Sequence, residues 1–385
     1  MRFQALQQVF QPLECTGSPY DRGYAQGQAA RKQMLLCFNA FFQSETFELL
    51  KPRWLPASLA RHAALRSAQR SFAPVLRRQL PDAWALLEGL AAGAGVAQEQ
   101  LLYFCISELL LAKVSLQLGG GTTLMIPPRF SSTEEPMLIR NFDHPYFLKS
   151  FNLVRKSRPD QGFASVDVTL VPSVGAHTGL NEAGVAISYN YGHGVAAASH
   201  RVPVSLKVQQ ALQSCESAAE VVRLFERGEQ EGGAVLGVQD SRGEMYLIEV
   251  AAGKVQSKQI RDNLLIATNH YQLAEMVPGD IPVNAYYDFR HHLKELAGRR
   301  VRESSESRFD RLYELTGTRI QYHQSDLLDY FADHGESDAP CDNSICRHGE
   351  YYETTCSVMI KPLSREVSVS QGNPCEVPYQ VYQWI

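Results

Sequence analysis

The chain has 385 residues, of which 44% are hydrophobic and 20% are charged, and its formal net charge is −4. A chain of this length can bury a substantial core, and the composition is that of a globular protein. The small negative charge gives no electrostatic reason to expect a nucleic acid or an anionic membrane as partner. No uncharged apolar run reaches the roughly 18 residues of a membrane span, and residues 1–10 lack the pattern of a secretory signal, so the cytoplasm is the expected compartment.

The first third of the chain is expected to be helical. Apolar side chains spaced three and four residues apart predict helices over residues 20–50, 58–80, 81–95 and 98–118. Pro74 predicts a break or kink within the second of these helices. Pro81 is suited to end the second helix and to begin the third.

After residue 121 the pattern changes to short strands and tight turns. Strands are predicted at residues 122–127, 137–142, 165–171, 176–180, 185–189, 234–238, 244–250, 357–361 and 366–370. Helices are predicted at residues 204–215, 217–227, 304–315 and 325–334. Two groups of antiparallel strands with helices between them favour a layered α+β domain.

The eight cysteines are too few for a disulfide scaffold in a chain of this length. Cys341 and Cys346 lie close to His348, which is suggestive of zinc, but no second closely spaced pair of ligands follows, so we expect no metal and no cofactor. Cys15 is interpreted as a small buried apolar residue of the amino-terminal segment.

Residues 119–124 read Gly-Gly-Gly-Thr-Thr-Leu and mark the change from helices to strands. Nucleophilic attack on an amide needs a nucleophile, a base, oxyanion donors and a group that orients them. A nucleophile that becomes the first residue of a chain supplies its own base, because a free α-amine has a pKa of about 8. Small residues before such a cut, here Gly119 and Gly120, allow the strained approach that self-cleavage requires.

Further motifs follow in order along almost the whole chain. They lie at residues 17–24 with Gly27, 140–143 (Arg-Asn-Phe-Asp), 178–184 with Asn190, 268–271 (Thr-Asn-His-Tyr), 307–308 (Ser-Arg), 346–348 (Cys-Arg-His) and 372–375 (Gly-Asn-Pro-Cys). The ordered series resembles the penicillin acyltransferase family (acyl-CoA:6-aminopenicillanic acid acyltransferase-like) of the N-terminal-nucleophile hydrolases. The resemblance implies an α+β fold, a four-layer αββα sandwich with two antiparallel sheets between helical layers.

The resemblance also implies a self-processing precursor. In that family the chain cuts itself within a Gly-Cys-Thr-Thr segment, and the Cys becomes both the new amino terminus and the nucleophile. Here Gly121 stands at the Cys position, so the cleavage site would be the Gly120–Gly121 bond. Residues 1–120 would be a helical smaller fragment and residues 121–385 a strand-rich larger fragment, and together they would form one compact unit.

Site roles are implied by the same motifs. Asn269 would be the oxyanion donor, and Asp143 and Arg308 would form a charge network beside the nucleophile. Arg140 would bind a substrate carboxylate or the Asp143 carboxylate through its guanidinium fork. Substrate binding would also involve Asn190 and His270, although a His in this setting is more often structural than catalytic.

The implied activity is amide hydrolysis or acyl transfer through an acyl-enzyme. The implied partner is a small acyl amide or an acyl thioester on coenzyme A or a carrier, and a homo-oligomer is compatible with the sequence. Choloylglycine hydrolases and acid-ceramidase-like amidases are related alternatives.

Three explanations of Gly121 stay open. A Cys has been replaced to keep a precursor uncut, or a binding protein has arisen naturally on this fold, or Thr122 has become the nucleophile. Against the last, a shift by one residue in a strand turns the side chain to the other face.

Overall fold

A computed structural model describes residues 11–52, 54–112, 119–194, 202–228, 230–251, 253–317, 319–336, 339–382 and 384. Within these residues the helices are α1 (Pro19–Gln43), α2 (Glu45–Leu50), α3 (Ala57–Gln79), α4 (Pro81–Ala94), α5 (Gln98–Ala112), α6 (Val204–Ser214), α7 (Ala218–Glu226), α8 (Glu303–Thr316) and α9 (Gln324–Phe331).

Most strands of the described residues belong to two sheets. The strands are β1 (Leu13–Gly17), β2 (Gly120–Ile126), β3 (Met137–Pro145), β4 (Asn152–Pro159), β5 (Ser165–Leu170), β6 (Thr178–Asn181), β7 (Val185–Tyr191), β8 (Val202–Pro203), β9 (Gln230–Glu231), β10 (Ala234–Asp240), β11 (Met245–Ala251), β12 (Lys254–Gln259), β13 (Leu265–Ala267), β14 (Tyr352–Lys361), β15 (Glu366–Ser370) and β16 (Gln380–Tyr382). Sheet A has the order β1-β4-β5-β6-β7-β10-β11-β12, and sheet B has the order β13-β2-β3-β14-β15-β16. Strands β8 and β9 form a small separate parallel pair.

The two sheets pack face to face and carry helices on their outer faces. Helices α1, α6 and α7 pack on sheet A, whereas α8 and α9 pack on sheet B. Strands β2 and β3 of sheet B contact β7 of sheet A across the interface between the sheets. This arrangement confirms the expected αββα sandwich. The expectation of two antiparallel sheets fails in one detail. Strand β1 pairs with β4 in parallel.

The predicted helices agree with the structure except at two points. The stretch predicted as one helix over residues 20–50 is divided at Ser44, whose hydroxyl donates to Phe41 O and accepts from Phe47 N, so that it closes α1 and caps α2. Of the break or kink predicted at Pro74, the break is absent, because α3 runs through that residue without interruption. The fourth predicted helix is present as α5 up to Ala112, and residues 113–118 lie outside the described part.

The nine predicted strands are confirmed, and the strands that sequence patterns missed lie mainly at sheet margins. Strands β1 and β12 are the edges of sheet A, and β13 and β16 are the edges of sheet B. An edge strand is paired on one side only and here has a short or polar sequence, so apolar alternation is weak. Strand β4, which joins β1 to the rest of sheet A, was also missed because charged residues and a terminal Pro dilute its pattern.

Helices α1 and α4 contact each other through their backbones at four glycines. A Cβ atom at Gly23 would lie 1.9 Å from Leu86 O, and one at Gly89 would lie 2.0 Å from Tyr20 O. Gly27 and Gly93 extend the same close contact along the two helices. Any side chain at these positions would force the helices apart.

Among the described residues, no helix combines the length and the apolar character that crossing a bilayer requires.

Candidate active site

The candidate site lies on β2 and β3, two neighbouring interior strands of sheet B. Gly120 is the cross-strand partner of Asp143, and Gly121 is the partner of Phe142. Because opposed residues of an antiparallel pair share a face, Gly120, Thr122 and Asp143 face one side of the sheet and Gly121 faces the other. The site therefore has an outer half under α8 and an inner half facing sheet A.

Arg308 organises the outer half. It lies on α8, is 1% exposed, and donates from Nη1 to Gly121 O and to Thr122 Oγ1, each at 2.7 Å. Its Nη2 donates to Asn269 Oδ1 at 2.8 Å. Burial lowers the pKa of Arg308 to about 10, while the nearby Asp143 carboxylate acts in the opposite direction, so the guanidinium stays charged at neutral pH.

Asp143 is the acidic partner of Arg308. The shortest ion-pair distance, from Arg308 Nη1 to Asp143 Oδ2, is 3.5 Å, and both side chains are almost fully buried. Asp143 Oδ1 accepts a hydrogen bond from Thr354 Oγ1 at 2.8 Å, whereas Oδ2 has no hydrogen-bond partner among the described residues. A buried carboxylate oxygen with an ion-pair partner but no donor can accept one more hydrogen bond.

Asn269 joins the two halves. Its Oδ1 accepts from Arg308 Nη2 and, at 3.4 Å, from Gly121 N, and its Nδ2 donates to Tyr191 O at 2.6 Å. Because two donors face Oδ1, the orientation of the carboxamide is fixed. The bond to Tyr191 O uses one of the two N–H groups of Nδ2.

The inner half shows how the chain accommodates Gly121. A Cβ atom built there would lie 2.2 Å from Asn190 Oδ1 and 2.8 Å from Asn141 O. The Asn190 carboxamide is held in place, because it accepts from Arg140 Nε at 2.9 Å and donates to Thr123 Oγ1 at 3.0 Å. The position that a side chain at residue 121 would occupy is therefore filled by Asn190.

The prediction that Arg140 pairs with Asp143 is not what the structure shows. The two residues are three apart in β3, so their side chains lie on opposite faces of the sheet. Arg140 instead donates to Asn190 and to Thr178 Oγ1, while its Nη2 has no hydrogen-bond partner among the described residues. Burial lowers the pKa of Arg140 to about 10. Its fork still faces the inner half, where a ligand carboxylate could satisfy Nη2.

His270 has contacts that favour its structural interpretation. Its Nδ1 lies 2.8 Å from Ser305 Oγ and 3.2 Å from Thr268 Oγ1, which ties the segment after β13 to the start of α8. Burial, with Arg302 and Arg308 nearby, lowers the pKa of His270 to about 4, so the ring is neutral at pH 7. These contacts do not place the ring beside Gly121.

Sequence reasoning missed two residues of the outer half. Thr354, on β14, bonds Asp143 and accepts from Arg347 N at 2.8 Å. Arg347 is buried, donates to Asp342 Oδ1 at 2.7 Å, and interacts electrostatically with Asp143. The Cys-Arg-His motif pointed to Arg347, but nothing in the sequence indicated its proximity to Asp143.

Comparison with known families decides the assignment. A model of the family described as acyl-coenzyme A:6-aminopenicillanic acid acyl-transferase matches residues 131–376. The chain belongs to this family. The matched residues begin after β2, so Gly121 itself lies outside the match. Because β2 pairs with β3, which lies inside the match, Gly121 is adjacent to the matched part of the fold. The description of this family names the transfer of an acyl group from acyl-coenzyme A to 6-aminopenicillanic acid.

Three solved structures resemble the chain at low identity. An N-acylethanolamine-hydrolyzing acid amidase ortholog of Caenorhabditis elegans has 14% identity and a TM-score of 0.42, and the match covers 63% of this chain and 93% of that one. A mutant of the conjugated bile acid hydrolase of Clostridium perfringens has 11% identity and a TM-score of 0.40, covering 69% and 97%. Penicillin V acylase of Agrobacterium tumefaciens has 14% identity and a TM-score of 0.38, covering 65% and 82%. No curated protein sequence matches the chain.

Proposed function

We propose that this chain is a self-processing amidohydrolase or acyltransferase precursor that remains uncut and catalytically silent because residue 121 has no side chain. The observation that carries the proposal is the retained support around Gly121. Arg308 binds its carbonyl, Asn269 binds its amide, and Asp143 faces the preceding residue across the strand pair. What is missing is an atom that can attack the Gly120 carbonyl.

The proposed ligand is a small acyl amide or an acyl thioester carried by coenzyme A or another carrier. Hydrolysis and transfer share an acyl-enzyme and differ only in the acceptor, so the site supports either reaction once a nucleophile is present. The buried Arg140 guanidinium on the inner half is suited to an anionic group of such a ligand. A natural binding protein would use the same inner half without chemistry.

A cut that depends on Thr122 is a second candidate. Arg308 Nη1 bonds both the Thr122 hydroxyl oxygen and the Gly121 carbonyl, which are the two groups that would react. Among the described residues, however, the Thr122 hydroxyl makes no hydrogen bond to a base, and a cation donating to its oxygen makes it a poorer nucleophile. We therefore favour the uncut chain.

The first prediction is that freshly purified protein keeps its full mass of about 43.0 kDa. Intact-mass spectrometry after denaturation measures this directly. A cut after Gly121 that disappears in Thr122→Ala would establish the second candidate instead. A cut at any other nearby bond would contradict both.

The second prediction concerns the space that Asn190 fills. Gly121→Ala is expected to destabilise the chain by about 1–3 kcal/mol, because its Cβ atom would collide with the Asn190 carboxamide and with a backbone oxygen. Urea denaturation measures the change in the free energy of unfolding. Gly279→Ala is the matched control, since nothing lies within 4 Å of its Cβ position. Equal stability of the two variants would show that residue 121 has room for a side chain.

A further inference from the structure

Four side chains with metal-binding atoms meet outside the candidate active site. His334 follows α9, Cys346 and His348 precede β14, and Cys375 follows β15, and their ligand atoms all lie within 4.8 Å of one another. The Sγ atoms of Cys346 and Cys375 are 3.5 Å apart. Nε2 of His348 lies 3.4 Å from the first sulfur and 3.3 Å from the second.

The three distances among Cys346, His348 and Cys375 are those of neighbouring ligands in a tetrahedral zinc site, and the ligand atom of His334 lies within 4.8 Å of each of them. With Zn–S bonds of about 2.3 Å and Zn–N bonds of about 2.0 Å, neighbouring ligand atoms of a tetrahedron lie roughly 3.3–3.8 Å apart. We propose that His334, Cys346, His348 and Cys375 bind one Zn²⁺ ion with all four coordination positions supplied by the protein. Such a closed Cys₂His₂ set is typical of a structural zinc, not a catalytic one.

The chemistry of the four atoms selects the metal class. Two thiolates and two imidazoles in a tetrahedron favour zinc over Ca²⁺ or Mg²⁺, which prefer oxygen ligands, and the group contains no carboxylate. Iron–sulfur clusters use four cysteines in most proteins, and here only two are present in the group.

The backbone already holds the ligands in this arrangement. Cys346 N donates to Asp333 O at 3.0 Å, which links the strand-entry segment to the end of α9 beside His334. His348 N donates to Cys341 O at 2.9 Å, and Asn373 Nδ2 donates to Arg347 O at 3.2 Å. These hydrogen bonds hold together three segments that are distant in sequence and do not use the four ligand atoms, and such prearrangement reduces the conformational cost of metal binding.

The proposed zinc would stabilise a segment that supports the candidate active site. Arg347 lies between two of the ligands, and its backbone N–H donates to Thr354, which donates to Asp143. Metal binding by residues 346 and 348 would therefore hold Arg347 in place, and with it the Thr354 hydroxyl that donates to the Asp143 carboxylate. The proposal itself does not depend on the chain having catalytic activity.

The same two sulfurs offer one competing outcome. At 3.5 Å the thiols of Cys346 and Cys375 could be joined by a disulfide in the presence of an oxidant, with loss of two electrons and two protons. A disulfide would consume both sulfur ligands, so the two states exclude each other. The experiment must therefore begin with reduced protein.

The test uses the reduced full-length protein without an affinity tag. Elemental analysis should find about one zinc ion per chain, and Co²⁺ exchanged into the site should give the visible bands of tetrahedral coordination and a sulfur-to-cobalt charge-transfer band. Cys375→Ser, at an exposed ligand, should weaken zinc binding at least about tenfold in competition with a chromophoric chelator. The matched control is Cys341→Ser, an exposed cysteine near Cys346 in sequence but outside the group.

Two results would overturn the proposal. One is reduced wild-type protein that holds well under one zinc ion per chain and gives no tetrahedral cobalt spectrum. This result would count whether or not the untreated sample contains a Cys346–Cys375 disulfide. The other is equal zinc affinity of the Cys375→Ser and Cys341→Ser variants. If Cys375→Ser fails to fold, the metal content and cobalt spectrum of the wild-type protein still decide the question.

Discussion

Gly121→Cys is expected to divide the chain into two fragments at the bond between Gly120 and residue 121. The introduced thiol can attack the Gly120 carbonyl, so that a C–S bond forms while the C–N bond to residue 121 breaks and its nitrogen takes up a proton as a free amine. Hydrolysis of the resulting thioester then releases the Gly120 carboxylate and the thiol. Asn269 lies beside this bond, since a Cβ atom at Gly120 would be 3.1 Å from its Oδ1. Asn190 must first rotate away from residue 121, because its Oδ1 occupies the position of the new side chain.

Denaturing electrophoresis with mass analysis of the fragments measures this cleavage. Gly121→Ala is the control, because it causes the same collision with Asn190 but provides no nucleophile, and it should stay intact. After cleavage the free amine, with an ordinary pKa of about 8, is the expected base, so hydrolysis of acyl amides should rise with pH through the neutral range as the amine loses its proton. Alkylation of the thiol should abolish that activity.

A Gly121→Cys protein that folds and yet stays uncut over days would count against the precursor proposal. Its binding of acyl amides and acyl thioesters would then be measured by calorimetry. Retained binding would favour the natural binding protein. In such a protein Asn190 would fill the space beside Gly121 that a nucleophile would otherwise occupy.

The second large effect is expected at the outer half of the site. In the Gly121→Cys background, Arg308→Ala or Asp143→Asn should slow self-cleavage or turnover at least about tenfold, since preorganised charge contributes a few kcal/mol to such sites. Arg308→Ala removes the hydrogen bonds to the carbonyl of residue 121 and to Asn269. Asp143→Asn removes the carboxylate that faces Arg308.

Cleavage half-times from gel densitometry and single-turnover rates provide the comparison. Arg223→Ala is the control. This arginine lies on α7 over sheet A, is half exposed, and within the described residues forms an ion pair only with Glu220. Circular dichroism must show that each variant remains folded. Rates within about twofold of the parent in both site variants would show that Arg308 and Asp143 do not assist the chemistry.

Strand and helix patterns predicted a layered α+β domain, whereas the αββα order and the roles of the site residues came from the resemblance to the family. The patterns place Gly121 and Asp143 in strands and Arg308 on an amphipathic helix, but they do not reveal which of these elements meet. Arg140 was assigned to a substrate carboxylate or to the Asp143 carboxylate from the resemblance and the shape of its guanidinium fork. The strand places Arg140 and Asp143 on opposite faces, a distinction that depends on a regular extended backbone from 140 to 143.

Other features depend on contacts between distant segments and leave little trace in the sequence. The filling of the inner half by Asn190 requires β7 of one sheet to meet β2 of the other at one register. The four proposed zinc ligands come from three separate segments, and the closely spaced pair that suggested zinc included Cys341, which is not among them. The expectation of no metal therefore rested on spacing alone, which does not reveal ligands brought together by folding.

The parallel pairing of β1 with β4 determines what self-cleavage would look like in solution. Residues before the cut supply β1, an edge strand of sheet A, and α1, which also packs on that sheet. A broken bond at residue 120 would thus leave two interlocked polypeptides with an unchanged hydrodynamic radius. After complete denaturation, however, recovery of the native state would require two chains to find each other. Its rate should then depend on protein concentration, whereas refolding of the uncut chain should not.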